Sequence, residues 1–238
     1  ELKAILANLY SGRGEFTRAI ALTADKPPRG DDGARLARWG WSRSVVLFLA
    51  GMLDEALECG RRAAAEIDQN AHPFLASGIR DNNDWIRCVK GEAFTDEEMA
   101  GLVERAATAR LLRQTTSLME IELITAFALA NRDEHDKARL AVTRLLDDSE
   151  LSGPGMVRAA SILSALGDSA KAADIYRRSI DRINAETEPY LVAAVWTSLA
   201  RLYEERGDFE SSVGCLNAAL EVVGVVTSAN ADPYCISI

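Results

Sequence analysis

The side chains best able to hold a metal ion, or to act as nucleophile and base, are four cysteines and two histidines. Cys59, Cys88, Cys215 and Cys235 form no CxxC pair, and His72 and His135 stand apart from all four. That spacing lacks the ligand grouping of a zinc finger. It fits free thiols in a reducing compartment. His72 precedes Pro73 at an expected helix entry and His135 falls in an interhelical turn; neither has a nucleophile beside it to activate. Ser11-Gly12-Arg13-Gly14 carries two glycines, but it ends a helix and cradles no phosphate. The carboxylate pairs Glu97-Glu98 and Asp147-Asp148 lie at helix ends, where such groups are solvated or serve the helix dipole. GxSxG, HExxH, GxxxxGK[ST], GxGxxG and EF-hand patterns do not occur. The expectation is a protein that is not an enzyme and uses neither cofactor nor metal.

The elements that carry these residues follow from composition. The chain has 238 residues, 48% apolar and 26% charged, enough to bury a sizeable core and too apolar to be disordered. Only 6 prolines and 16 glycines interrupt it, which favours long helices over many-turned β structure. The longest apolar run, Val45 to Met52, is far short of the roughly 18 residues that span a bilayer. The net charge of −9 is uneven: residues 120–238 hold 11 basic against 19 acidic side chains. An acidic half is a poor surface for a phosphate backbone, so nucleic acid is not an expected partner. The basic and aromatic stretch Arg35, Arg38, Trp39, Trp41 and Arg43 reads as tryptophan packing with a solvated arginine face. The chain begins at Glu1 with neither methionine nor a secretory signal pattern, as a fragment of a cytoplasmic protein would.

Self-similarity is the strongest signal. In Trp196-Thr-Ser-Leu199-Ala200-Arg-Leu-Tyr203, the named residues recur at i, i+3, i+4 and i+7, one face of a helix. Gly207-Asp208 stops that helix, and Phe209 to Val223 forms the next, with Val213, Leu216, Ala219 and Leu220 on one face. The same glycine stop and small residue return at Gly167 and Ala172, at Gly51 and Ala56, and at Gly14 and Ala19; Ala138 marks a copy after Asp133. A weaker copy runs from Thr95 to Ala100, where Thr95 and Glu98 form an expected capping box. The small residue lets the second helix of a pair approach the first closely, and the glycine suits a left-handed helix end. Expected helices are 1–11, 15–25, 34–50, 53–69, 73–90, 96–112, 114–131, 135–148, 155–166, 169–185, 188–206 and 209–223.

This pattern resembles the tetratricopeptide repeat family, most closely in Trp196, Leu199, Ala200, Tyr203, Gly207, Phe209 and Ala219. The resemblance implies an all-α fold, an αα superhelix of about six helix pairs over residues 1–224, followed by an extended tail at 225–238. It further implies that the first helix of each pair lines a concave groove for an extended or helical peptide. Projected on that geometry, Asn8, Trp41, Val45, Phe48, Asn82, Asn83, Arg87, Leu123, Phe127 and Arg201 are the candidate peptide-binding residues. Amides can hold a peptide backbone and arginine can hold a carboxylate. The same aromatics also suit a core between neighbouring pairs. The expected function is a non-catalytic scaffold or sensor that binds a protein or peptide segment, in a signalling setting. The alternative is a ligand-sensing regulatory segment of a larger bacterial signalling or transcription regulator. Tyr234, Ile236 and Ile238 alternate in the tail, so an extended segment would present all three on one side; self-association through it is a further expectation.

Overall fold

The computed structural model describes residues 2–24, 32–148 and 151–226. Among the described residues the regular structure is entirely helical. The helices are α1 (Leu2–Gly12), α2 (Phe16–Ala24), α3 (Gly33–Leu49), α4 (Leu53–Glu66), α5 (Pro73–Val89), α6 (Asp96–Leu111), α7 (Thr115–Asn131), α8 (His135–Asp148), α9 (Gly153–Ala165), α10 (Ser169–Ile180), α11 (Pro189–Glu205) and α12 (Phe209–Val226). The chain forms two compact units. The first holds α1–α5 through Lys90; the second runs from Gly91 to Val222.

The helix ends follow from local chemistry. Asp32 caps α3 by accepting from the Arg35 amide at 3.2 Å. Thr95 and Glu98 close the expected capping box on α6. Ser152 caps α9 through the Gly155 amide, and prolines open α5, α9 and α11, where the missing N–H is no loss. Between α9 and α10, Gly167 takes a φ of +80°, and the Asp168 amide donates back to the Leu163 carbonyl at 2.9 Å. Gly207 and Asp208 repeat that geometry after α11. The left-handed residue lets the orphan carbonyls of the last turn find donors. Between α7 and α8 the same place falls to Asp133, with a φ of +60°, a conformation that a Cβ makes costly.

In the first unit α3 packs tightly on α4. A Cβ on Gly40 would stand 3.1 Å from the Ala63 Cβ, and Ser44 donates to the Ala56 carbonyl at 2.7 Å. Ala37, Ala63, Ile67, Ala76 and Ile79 form one buried cluster; Leu47, Ala56, Leu57 and Ile86 form another. In the second unit, α7, α9 and α11 bury Ile124, Met156, Ile162, Leu163 and Leu199 among α8 and α10. Of the small residues that set the repeat, Ala19, Ala56, Ala138 and Ala172 are completely buried and Ser212 is buried too. Ala100 is exposed, and α6 buries Leu102 and Ala109 instead. The weak copy was therefore read in the wrong register.

Two further differences concern helix ends. The expected helix 169–185 stops at Ile180. There Asn184 folds its carboxamide onto the amides of Glu186 and Thr187, and Arg182 reaches back to the Leu151 carbonyl at 3.0 Å. At the other end α12 runs to Val226, past the expected stop at 223. Residues 227–238 of the expected tail lie outside the described residues.

Candidate functional site

Seven candidate residues stand in the first unit. On α3, Gly40, Ser44 and Leu47 face α4. Trp41, Val45 and Phe48 form the neighbouring stripe, turned about 100° around the helix and half-buried. That turn aims the Trp41 ring at α5, where residue 78 is glycine: a Cβ there would meet Cη2 at 3.1 Å. One helical turn further along, the Asn82 amide donates to Ser44 Oγ at 3.0 Å. Asn83 lies over Gly60 of α4, where a Cβ would overlap its Oδ1. Arg87 faces the buried Asp84 carboxylate at 3.8 Å, and Asn8 of α1 is exposed. Trp41, Phe48 and both asparagines thus form the seam between successive helix pairs as well as showing part of their surface.

Two polar atoms of this seam stand out. Trp41 Nε1, a donor, and Asn83 Oδ1, an acceptor, are buried and meet no hydrogen-bond partner among the described residues. A buried polar atom left unpaired costs about 1–3 kcal/mol.

The other three candidates stand in the second unit. Phe127 on α7 is half-buried. Arg201 on α11 is exposed beside Glu205 at 4.0 Å. Leu123 is a correction: it is buried in the core of α7 with Ile121 and Ile124, and it lines no surface. The projection placed its face wrongly because one residue along a helix is a turn of about 100°.

Sequence reading missed the arginines that stitch neighbouring elements through backbone carbonyls. Arg43 donates to the Thr23 carbonyl at 2.6 Å. Arg132 donates to the Phe94 carbonyl at 2.8 Å and to Asp96 at 2.5 Å. Arg139 donates to the Leu166 carbonyl at 2.8 Å and to Asp168 at 3.0 Å. Each supplies a donor to a helix end or turn whose carbonyls lack one. Two thiols are shielded as well. Burial pushes the Cys88 thiol well above its ordinary range, reinforced by the Asp84 carboxylate, and burial raises Cys215. Among the described residues no group of three or more His, Cys, Asp or Glu could hold a metal ion, and no helix is long and apolar enough to cross a membrane.

The tetratricopeptide repeat family matches residues 193–222, most of α11 and α12. No curated protein matches the chain. Among solved structures, NprR in complex with its cognate peptide NprX superposes with a TM-score of 0.60 at 9% identity, over 92% of this chain and 66% of that one. This chain therefore spans about two thirds of the NprR chain's length. MamA (MSR-1 C2) gives a TM-score of 0.36 at 12% identity, over 93% of this chain and 97% of that one. BtubC (BKLC) from P. vanneervenii gives 0.37 at 13%, over 97% and 82%. The chain thus has an all-helical fold of stacked hairpins like that of NprR, and its residues 193–222 match the tetratricopeptide repeat family.

Proposed function

We propose that this chain is a binding domain rather than an enzyme, and that it holds an extended peptide or protein segment on the α3–α5 face of its first unit. The observation that supports the reading most is the pairing of a half-buried apolar stripe, Trp41, Val45 and Phe48, with one unpartnered donor and one unpartnered acceptor. A peptide backbone carries both complements, a carbonyl and an N–H, at every residue, and would reach the two buried atoms by easing the α3–α5 seam apart. Asn82 is already committed to Ser44, so its part is to fix α5 against α3 rather than to reach a ligand first.

The test is selection of peptides from a random library on the immobilised protein, followed by calorimetric titration of the best binder. Incorporating 3-benzothienylalanine at residue 41 keeps a bicyclic ring of the same shape over Gly78 and exchanges only the Nε1–H for sulfur. It should leave the melting temperature unchanged or slightly higher and weaken the peptide at least tenfold, about 1.4 kcal/mol. Unchanged affinity in that variant and in Trp41→Ala alike would move the site away from this face.

The alternative is that the same face senses a signal for a larger bacterial regulator acting in the cytoplasm. It is favoured by the likeness to NprR, a protein solved with its cognate peptide and longer than this chain. That likeness speaks for the fold, and the sensing role rests on the proposal alone. Mass analysis of what co-purifies separates the two: a discrete short peptide or small molecule favours a sensor, and a folded protein favours a scaffold.

A further inference from the structure

The left-handed residue after each first helix, Gly14, Gly51, Gly91, Asp133, Gly167 or Gly207, fixes equivalent positions along the chain. Leu9 stands five residues before Gly14, as Val46, Ile86, Ala128, Ile162 and Leu202 stand before theirs. Those five counterparts are buried, and Val46 packs on Ala7 and Ala19 of the preceding pair. Leu9 is 61% exposed, and Leu2 and Ile5 are exposed with it, an apolar stripe at i, i+3 and i+7 of α1. The mirror case stands on α12. Leu216 lies nine residues after Gly207, as Thr23, Gly60, Val142 and Tyr176 lie after their own left-handed residues; α6, whose register differs, stands aside. All four are buried, and Gly60 is covered by Asn83 of the following first helix. Leu216 is nevertheless 44% exposed, and Phe209, Val213 and Leu220 are exposed on the same face of α12. Each second helix packs on the first helix that follows it: α2 on α3, α4 on α5, α6 on α7, α8 on α9 and α10 on α11. Among the described residues α1 has no such helix before it and α12 none after it.

We propose that a second copy of this chain covers both stripes: α12 of one copy packs on α1 of the next, repeating between molecules the contact that second and first helices make within one. Charge selects this pairing. Residues 2–24 hold three basic side chains, Lys3, Arg13 and Arg18, against Glu15 alone. Residues 189–226 hold five acidic ones, Glu204, Glu205, Asp208, Glu210 and Glu221, against Arg201 and Arg206. Setting α12 on α1 brings opposite net charges together, whereas α1 on α1, or α12 on α12, sets like charge against like. The contact is heterologous, so each dimer keeps one uncovered stripe of each kind and association continues beyond two copies. It uses none of the α3–α5 residues proposed to hold a peptide.

Sedimentation of the full chain, alone and in mixtures, tests it. The parent protein at about 0.1 mM should contain species larger than a dimer. Ile5→Ser with Leu9→Ser disables the α1 stripe, and Leu216→Ser with Leu220→Ser disables the α12 stripe. All four side chains are exposed, so circular dichroism should show the parent's helical content in both variants. Each variant alone should be a monomer. Their equimolar mixture should form a dimer and nothing larger, because one intact α12 then meets one intact α1 and both remaining ends are disabled. Should a double variant lose helix, Leu9→Asn and Leu220→Asn make the same mixture with one change each. A monomeric parent or a monomeric mixture overturns the proposal and would leave the stripes to a different partner. Self-association of either variant alone overturns it too, since one stripe would then pair with itself or another surface would carry the contact.

Discussion

Ala172→Leu and Ala100→Leu are the same chemical change at two places that the sequence pattern treats as equivalent. The structure separates them. Ala172 is completely buried where α10 meets α9, and Ala100 is exposed on α6. At residue 172 the extra carbons must displace side chains or push the helices apart, and overpacking of this kind costs about 1–3 kcal/mol. At residue 100 they enter water, where a surface change stays within about 0.5 kcal/mol. For a chain of this length about 2 kcal/mol lowers the melting temperature by roughly 4–8 °C. Thermal melts followed by circular dichroism read both directly. Ala172→Leu should fall by several degrees and Ala100→Leu should stay close to the parent protein. If Ala172→Leu melts with the parent, or both variants fall equally, the close-approach argument for the repeat is wrong.

Asp133→Gly should raise the melting temperature by about 2–4 °C, because the left-handed φ between α7 and α8 costs a side chain roughly 1 kcal/mol; Asp133→Val should lower it. Alkylation of the native protein at pH 8.5, mapped by mass spectrometry, should modify the half-buried Cys59 and spare Cys88 until denaturant is added. The Glu134 carboxyl is held below its usual range, first by the hydrogen bond from Lys137 and then by the one from Arg132. In acid the unfolded chain therefore takes up that proton before the folded one, and stability is lost as pH falls through the carboxylate range. Glu134→Gln should lose less melting temperature between pH 7 and pH 3.5 than the parent; an equal loss would show that this carboxylate does not contribute to acid sensitivity.

What the sequence made legible is governed by punctuation. Gly167, Gly207, Pro73, Pro154, Pro189 and the Thr95–Glu98 box each act on backbone within a turn of themselves, so most helix ends are readable to within a residue or two. The unreadable parts depend on rotation about a helix axis and on partners distant in sequence. Ala100 was read as buried because its copy starts from a threonine cap, with no glycine turn to fix the register. Leu123 was read as surface because one step along α7 turns the face by about 100°. The arginine-to-carbonyl stitches link residues such as Arg132 and Phe94, 38 apart, and no local pattern marks them.

The candidate face in the first unit shows why binding and folding residues are hard to tell apart in stacked helix pairs. The stripe of α3 that faces α4 is fully committed to the core, so only the adjacent stripe can both touch α5 and see solvent. Trp41 therefore serves the seam through its ring on Gly78 and offers its Nε1 to nothing in the fold. Truncation to alanine removes both contributions at once and would report on a mixture of stability and binding. Removing the single N–H leaves the ring where it packs. A fold that gains or keeps stability while a peptide loses affinity would place the orphan donor in binding, since an atom kept for stability alone would be satisfied within the protein.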